Sequence, residues 1–514
     1  MSPTPGPGHA GSLVIGIDLG TASSKGVLST AAGDVLAVAV RDRPHSMQLP
    51  RPGWAEVDPD AVWWADVVSI SSELVRAAGD RGVAAVCVSG IGPCLVLCDF
   101  EDRPVRPAIL YGIDMRAQAE IDDLTAQLGR EHILSRCGKT LSSQAVGPKL
   151  LWVARHEPAR FERALRWFGS SSYVVLRLTG EYVLDHQTAS QCDPLYDVHA
   201  QAWAQPWADQ VLQHLEKPRL VWPSEVVGTV SAEAAVETGL AAGTPVCAGT
   251  VDAWAESFSA GVRVPGDAML MYGSTMFLVQ ALERPLAHPV LWSTVGVDPG
   301  SYTLAGGMAT AGLLTRWVRD LVGGVDFATL ALEAGSVRAG SDGLLLLPHL
   351  AGERTPLFDP RARGVLAGLT LRHTRAHLYR AALEGIAYGV RQILELLDPE
   401  LTPLRRLVAV GGGTQTRLWP QVVSDVTGQS QVVPTQTVGA SYGDALMAAI
   451  GVGLVAPETD WTTEDVVVEP DPRKRGTYDE LYASYLELYP ATRSVVHTLA
   501  AMQEQGEPPP STAG

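Results

Sequence analysis

The stretch Ile15-Gly16-Ile17-Asp18-Leu19-Gly20-Thr21-Ala22-Ser23-Ser24-Lys25 joins two apolar runs, Leu13-Val14-Ile15 on one side and Val27-Leu28 on the other. Apolar runs separated by a glycine-marked polar turn read as strand, tight turn, strand. Gly20 lets a backbone N–H approach an oxygen closely, and Thr21, Ser23 and Ser24 add hydroxyl donors. Lys25 supplies a point charge, and Asp18 is suited to hold a hydrated Mg²⁺. Together these are the parts of a polyphosphate cradle. An ordinary hairpin with polar turn residues has the same local pattern, so the rest of the chain has to choose between them.

At 514 residues the chain exceeds what one hydrophobic core serves, and two large domains are expected. Acidic residues outnumber basic ones 56 to 39, a net charge of −17. That balance argues against nucleic acid or an anionic membrane surface as the main partner. A phosphate-bearing ligand has to be held by local donors, because the overall field opposes it. Six cysteines in so long a chain are no disulfide framework. Cys94 and Cys98 lie close in sequence but lack the further Cys/His set of a zinc site, so they read as core or pocket-wall thiols. Met1–Gly11 is rich in Pro and Gly without an apolar centre, so no signal peptide is expected there. No run approaches about 18 consecutive apolar residues, so no membrane span is expected and a cytoplasmic setting follows.

Along the chain, residues 12–40 read as a three-strand meander, and Val83–Ser89 as a buried strand. A helix follows Pro148. A second α/β block begins near residue 245, with Pro245–Ala248 a strand and Ala253–Ala260 a helix. Ala268–Tyr272 and Met276–Val279 flank the turn Gly273-Ser274-Thr275, and Leu407–Val410 ends in Gly411-Gly412-Gly413. The two halves follow one plan of strands, glycine-marked turn and helices, with the boundary at Gly261–Gly266. Tyr478, Tyr482, Tyr485 and Tyr489 recur at helical spacing and predict a docking helix rather than an aromatic binding box. The expected segments are a disordered N-terminus 1–11, an N-terminal domain 12–260, a C-terminal domain 261–455, a helical extension 456–505 and a disordered tail 506–514.

Three glycine turns, each after an apolar strand and spread over both halves, suggest a nucleotide held in a cleft between domains. Asp252 ends the strand-like Ala248-Gly249-Thr250-Val251 just before a helix. A carboxylate there can take a proton from a hydroxyl that attacks a phosphoryl group, or can simply cap the helix.

With these residues in view, the chain resembles the FGGY family of carbohydrate kinases, in its xylulokinase-like branch, from about residue 12 to 455. The most specific piece is Gly364-Val-Leu-Ala-Gly368-Leu369, then seven intervening residues, then His377-Leu-Tyr-Arg-Ala381-Ala-Leu-Glu384. Gly352-Glu-Arg-Thr-Pro356, Pro52-Gly-Trp-Ala-Glu-Val-Asp-Pro59 and Lys149-Leu-Leu-Trp152 also match, the last with Val146 where a small polar residue is usual. The resemblance implies an α/β fold of two ribonuclease-H-like domains, as in the actin/Hsp70/sugar kinase superfamily, with an interdomain ATP and sugar cleft. It implies ATP and Mg²⁺ as cofactors and a small sugar or polyol as partner, without nucleic acid or membrane, in a homodimer. Asp252 matches the general base for the sugar hydroxyl. Asp18 matches the acid that holds Mg²⁺ through water, with Asp252 also near the metal through water. Gly20, Thr21, Ser23 and Lys25 match the first phosphate turn, and Gly273 and Ser274 the second. Gly312 and Arg316 take the places of a nucleotide-site glycine and polar residue, and Gly412, Gly413 and Arg417 fall at the adenosine motif. Closure of the domains would exclude water, which competes as acceptor.

The departures concern the acceptor. Where xylulokinases carry a Gln-Met-His clamp, this chain has Ile91-Gly92-Pro93, and neither Ile91 nor Pro93 offers a side-chain hydrogen bond. The family's Trp-x-Asp-x-Arg loop reads Tyr111-Gly-Ile-Asp114-Met-Arg116, one residue longer, with Asp114 and Arg116 still expected to face the sugar. Ala253 replaces the Asn that often follows the base, and Trp254 adds bulk that walls the pocket or belongs to the core. Gly92, Pro93, Asp114, Arg116, Asp252 and Trp254 are thus the candidate substrate residues. D-xylulose leads as acceptor, with D-ribulose, L-ribulose or a polyol as alternatives. A non-kinase actin/Hsp70-like ATPase or sugar sensor is the more distant reading. Glu384 is expected to meet a backbone or basic partner at the domain joint, and His377 to brace a loop.

Overall fold

The computed structural model describes residues 12–43, 46–397, 403–435 and 439–506. The ends expected to be disordered, 1–11 and 506–514, lie outside these apart from Gly506. The described chain is α/β and forms two compact units. The first comprises 12–264 with 281–304 and 439–462, and the second 265–280, 305–435 and 463–506, less the undescribed residues.

In the first unit, β1 (Leu13–Leu19) lies between β2 (Ser23–Thr30), antiparallel, and β4 (Val83–Gly90), parallel. The six-stranded sheet runs β5 (Val226–Thr229), β6 (Pro245–Cys247), β4, β1, β2, β3 (Val35–Asp42). A central strand covered on both faces is apolar throughout, and Leu13, Val14, Ile15, Ile17 and Leu19 are fully buried. Helix α1 (Ala65–Ala78) seats Ile70 and Leu74 against Gly26 on one face. The helix Ala440–Gly451 seats on the other face, so close that a Cβ on Gly16 would stand 2.0 Å from the Ser441 carbonyl oxygen. Two further helices matter below, α2 (Val146–His156) and α3 (Asp252–Ser259).

In the second unit the same plan recurs. β7 (Asp267–Tyr272) pairs antiparallel with β8 (Met276–Leu282), Tyr272 opposite Met276. Later in the chain come α4 (Gly312–Leu321), α5 (Arg375–Leu394), β9 (Arg406–Val410), α6 (Leu418–Thr427), β10 (Gln431–Pro434), β11 (Glu464–Val468) and α7 (Arg475–Gly506). β9 lies parallel to β7, Val410 beside Met271, and β10 and β11 continue outward. Each unit therefore has a hairpin whose first strand gains a parallel neighbour from far along the chain.

The long helix α7 docks through its tyrosines, all four of which are buried. Tyr478 donates to Glu384 at 3.0 Å, and Glu384 also accepts from Gly340 N–H (3.0 Å), Ser341 Oγ (2.7 Å) and Arg380 Nε (2.8 Å). A buried carboxylate is tolerated when paired and fully hydrogen-bonded in this way. Glu384 thus has the backbone and basic partners expected, but inside the second unit rather than at a joint. His377 braces the start of α5, its Nδ1 3.0 Å from Thr374 Oγ1 and its Nε2 3.3 Å from Asp342.

Candidate functional site

Strand register assembles the first unit's cluster. Asp18 stands opposite Lys25 on β2 and beside Ser89 on β4. β6 runs parallel to β4, and past its end Gly90 donates its N–H to the Thr250 carbonyl at 3.1 Å. The chain that leaves β6 is thereby carried to the same sheet end as the Gly20–Ser23 turn, and it delivers Asp252. Val251 occupies the cap position of α3, and Asp252 stands at the first helical position, where its side chain meets a helix-start N–H. The Asp252 carboxylate accepts one hydrogen bond, from Ala253 N–H at 2.7 Å.

Electrostatics follow from burial of several acids around one lysine. Burial pushes Asp252 up to about 6. Asp18 is raised well above the usual carboxylate range by burial, then by Asp252 and Glu256, while Lys25 pulls the other way. Glu256, one helical turn beyond Asp252, is pushed up to about 7 by burial and by Asp252. Glu256 was absent from the sequence-derived candidates, although its four-residue spacing from Asp252 places it on the same helix face. Asp444 was absent too. It is fully buried on the Ala440–Gly451 helix, accepts from Ser89 Oγ at 2.6 Å, and is pushed well above the usual carboxylate range by burial and by Asp18. Oδ1 of Asp18 is a buried acceptor without a hydrogen-bond partner among the described residues. A hydrated cation would satisfy it. Among the described residues no three His, Cys, Asp or Glu side chains converge on one point, so Mg²⁺ would keep most of its water and phosphate ligands here.

The acceptor-side candidates divide. Ile91 donates its N–H to the Leu19 carbonyl at 2.9 Å, and Gly92 packs against Val251, so Ile91–Pro93 adjoins both the phosphate turn and Asp252. The Gly92–Pro93 peptide is cis. Thr21 Oγ1 lies 3.1 Å from the Tyr111 hydroxyl, which links the phosphate turn to the Tyr111–Arg116 loop. Asp114 and Arg116, expected to face the sugar, instead close on one another. Arg116 makes two bonds through Nε and one through Nη2 to Asp114, donates to Glu56 at 2.7 Å, and sits 4.1 Å over the Trp54 ring. Asp114 also takes the Ala55 N–H at 2.7 Å. Both side chains are fully buried, so they stiffen the loop from behind. Trp254 is buried and donates to Thr303 Oγ1 at 2.8 Å, a core contact.

In the second unit, the nucleotide candidates gather around Tyr272–Ser274. The N–H of Gly312 donates to Gly273 O at 3.0 Å and that of Leu313 to Ser274 O at 3.1 Å, which seats the start of α4 on the Gly273-Ser274-Thr275 turn. Gly411 packs on the Tyr272 backbone and Gly413 on Trp419, so the Gly412–Gly413 turn lies at the same sheet end. Arg316, in the second turn of α4, and Arg417, the cap residue of α6, are exposed. Two exposed arginines beside these glycine turns make this end suited to an anionic ligand.

The two halves of the chain match known models. That of the FGGY family of carbohydrate kinases, N-terminal domain, covers residues 13–259, and that of its C-terminal domain covers 268–452. The xylulose kinase of Escherichia coli (strain K12) is 31% identical over 448 residues, 85% of this chain and 89% of its own. The xylulose kinase of Lactococcus lactis subsp. lactis is 28% identical over 506 residues, 96% of this chain and 99% of its own. The crystal structure of xylulose kinase from Rhodospirillum rubrum superposes with a TM-score of 0.84 at 33% identity, over 94% of this chain and 100% of that one. With both family domains matched in order along its length, the chain belongs to the FGGY family of carbohydrate kinases.

Proposed function

We propose that the chain transfers the γ-phosphoryl group of ATP to one hydroxyl of a small ketose, D-xylulose first, releasing the ketose phosphate and ADP. Asp252 carries this assignment: a carboxylate with one hydrogen bond, held near about 6 beside Asp18 and Lys25, is poised to accept a proton at neutral pH. It takes the proton of the attacking hydroxyl. The new oxygen–phosphorus bond forms as the bond to the bridging oxygen of ADP breaks. Lys25, Thr21, Ser23 and the Gly20 backbone neutralise and orient phosphate oxygens. Asp18, and Asp252 more remotely, hold Mg²⁺ through water, and the metal when bound screens the phosphate charge. Gly273 and Ser274 supply the second phosphate turn. Gly312, Arg316, Gly412, Gly413 and Arg417 hold the nucleotide. Gly92 and Pro93 line the acceptor side, Trp254 backs it, and Asp114 with Arg116 fixes the loop behind.

D-xylulose is favoured by the relatives, two of them and a solved structure being xylulose kinases at 28–33% identity. D-ribulose, L-ribulose or a polyol is the second reading, favoured by the absence of side-chain donors at Ile91 and Pro93. The small sugar is the partner, a homodimer is the assembly and the cytoplasm is the setting we infer. No described helix is long and apolar enough to cross a membrane. The test is ADP formation from Mg-ATP with a panel of D-xylulose, D-ribulose, L-ribulose and the corresponding polyols. Sugar-dependent ADP release that disappears in Asp252→Asn is expected. ATP hydrolysis indifferent to every sugar, and unchanged in that variant, would overturn the kinase assignment.

A further inference from the structure

Lys149 is a buried cation that the chemistry above leaves unused. It lies in the first turn of α2, is 1% exposed, and its Nζ has no hydrogen-bond partner among the described residues. An ammonium taken out of water without an acceptor is among the costliest groups a fold can keep. Its charged neighbours do not relieve it. Asp114 is the nearby carboxylate, but its oxygens are already given to Arg116 and to the Ala55 N–H. Cys94 and Cys192 face it as well, and burial pushes both thiols up, Cys94 to about 12, so neither is an anion at neutral pH. Arg116 is the remaining charge beside it and repels it.

The amine is next to the acceptor wall. Cys94 ends the Ile91–Cys94 segment, and its thiol donates to the Ile91 carbonyl at 3.3 Å. The same segment reaches Val251, the residue before Asp252, through Gly92. The approach to α2 is tied to the Tyr111–Arg116 loop, since Gln144 accepts from Gly112 N–H at 3.0 Å and Ser143 donates to Gly112 O at 2.9 Å. Lys149 therefore adjoins the Ile91–Cys94 segment, in which neither Ile91 nor Pro93 has a side-chain donor, and the Tyr111–Arg116 loop.

We propose that Lys149 donates to the carbonyl oxygen of the ketose and is the group that distinguishes a ketose from the polyol of the same carbon chain. This rests on the kinase reading above. Three N–H donors and no lone pair suit an oxygen that only accepts. Charge decides between a ketone and a carboxylate. The ion network of Glu56, Asp114 and Glu157 with Arg106, Arg116 and the half-exposed Arg160 is neutral, three charges of each sign, so it leaves the charge of Lys149 unanswered. Asp252 and Glu256, which interact with one another on α3, would repel a further anion on the acceptor side, so a neutral carbonyl is the matching ligand.

The test compares D-xylulose with xylitol and D-arabitol, its two reduction products, in the wild type and in Lys149→Met. Each polyol is scored as substrate, and as inhibitor of D-xylulose turnover where it is not one. The expected result is a loss of about 30-fold in kcat/KM for the ketose, carried by KM, with polyol constants within about threefold of wild type. A second readout needs no variant. Burial lowers the Lys149 amine to about 8, so KM for the ketose should rise above that pH while the polyol constants stay level. Equal losses on ketose and polyols, an unchanged ratio, or a pH-independent ketose KM would each overturn the assignment. An aldonate bound better than the ketose would overturn it in favour of a carboxylate. Lys149→Gln serves if Lys149→Met does not fold. A wild type that turns over no sugar at all would reject the kinase reading, and the ketose-to-polyol binding ratio would then still decide the role of Lys149.

Discussion

Asp252 shows how a site residue draws its chemistry from cost. Burial disfavours its charge and sets it near about 6, so it is ionised at pH 7 and becomes protonated as the pH falls. The base form is the active one, so kcat/KM should drop about tenfold per pH unit below about 6. Asp252→Asn should lose about 10³-fold in kcat. A carboxyl raised in the folded state favours that state when protonated, and this contribution is lost as pH rises through the folded value. At pH 7.5 Asp252→Asn should therefore melt a few degrees above the wild type. An inactive variant that is also less stable would contradict that account. Among single residues, the sequence made the type and spacing of Asp18, Lys25 and Asp252 legible. It could not show that Asp114 and Arg116 bind each other, because a side chain's partners depend on what packs behind it. Glu256 was within reach, since helical spacing from Asp252 needs no tertiary information.

Among elements, the two hairpins were legible because β1 and β7 are apolar runs that end in glycine-marked turns. What only packing supplied is the seat of α4. A Cβ on Gly312 would stand 2.5 Å from the Gly273 carbonyl oxygen, a contact that no side chain tolerates. Gly312→Ala should push the helix start off the Gly273-Ser274-Thr275 turn and raise KM for ATP at least about tenfold. D-xylulose binding, scored by fluorescence or calorimetry without nucleotide, should be unchanged, because the acceptor residues belong to the first unit. An altered sugar affinity with normal ATP kinetics would refute this division of labour.

For the whole molecule, the first unit is not one continuous segment. The Ala440–Gly451 helix covers the β1 and β4 face and brings Asp444 to Ser89, although the whole segment 305–437 separates it from the rest of its unit. A fragment spanning 12–262 would leave that apolar face bare, and it should lack a cooperative melt and bind a hydrophobic dye. Adding a longer fragment that contains the Ala440–Gly451 helix should restore the transition. A sharp melt from 12–262 alone would show that the helix is dispensable. By itself the sequence determined the fold class, the glycine turns and the candidate base, because apolar period and turn chemistry are local properties. The tertiary structure decided which distant segments complete a unit, which acids share a cluster, and that Asp114 and Arg116 are occupied while Lys149 is not. Those outcomes depend on burial and on competition for hydrogen-bond partners, and both are settled only when the chain has packed.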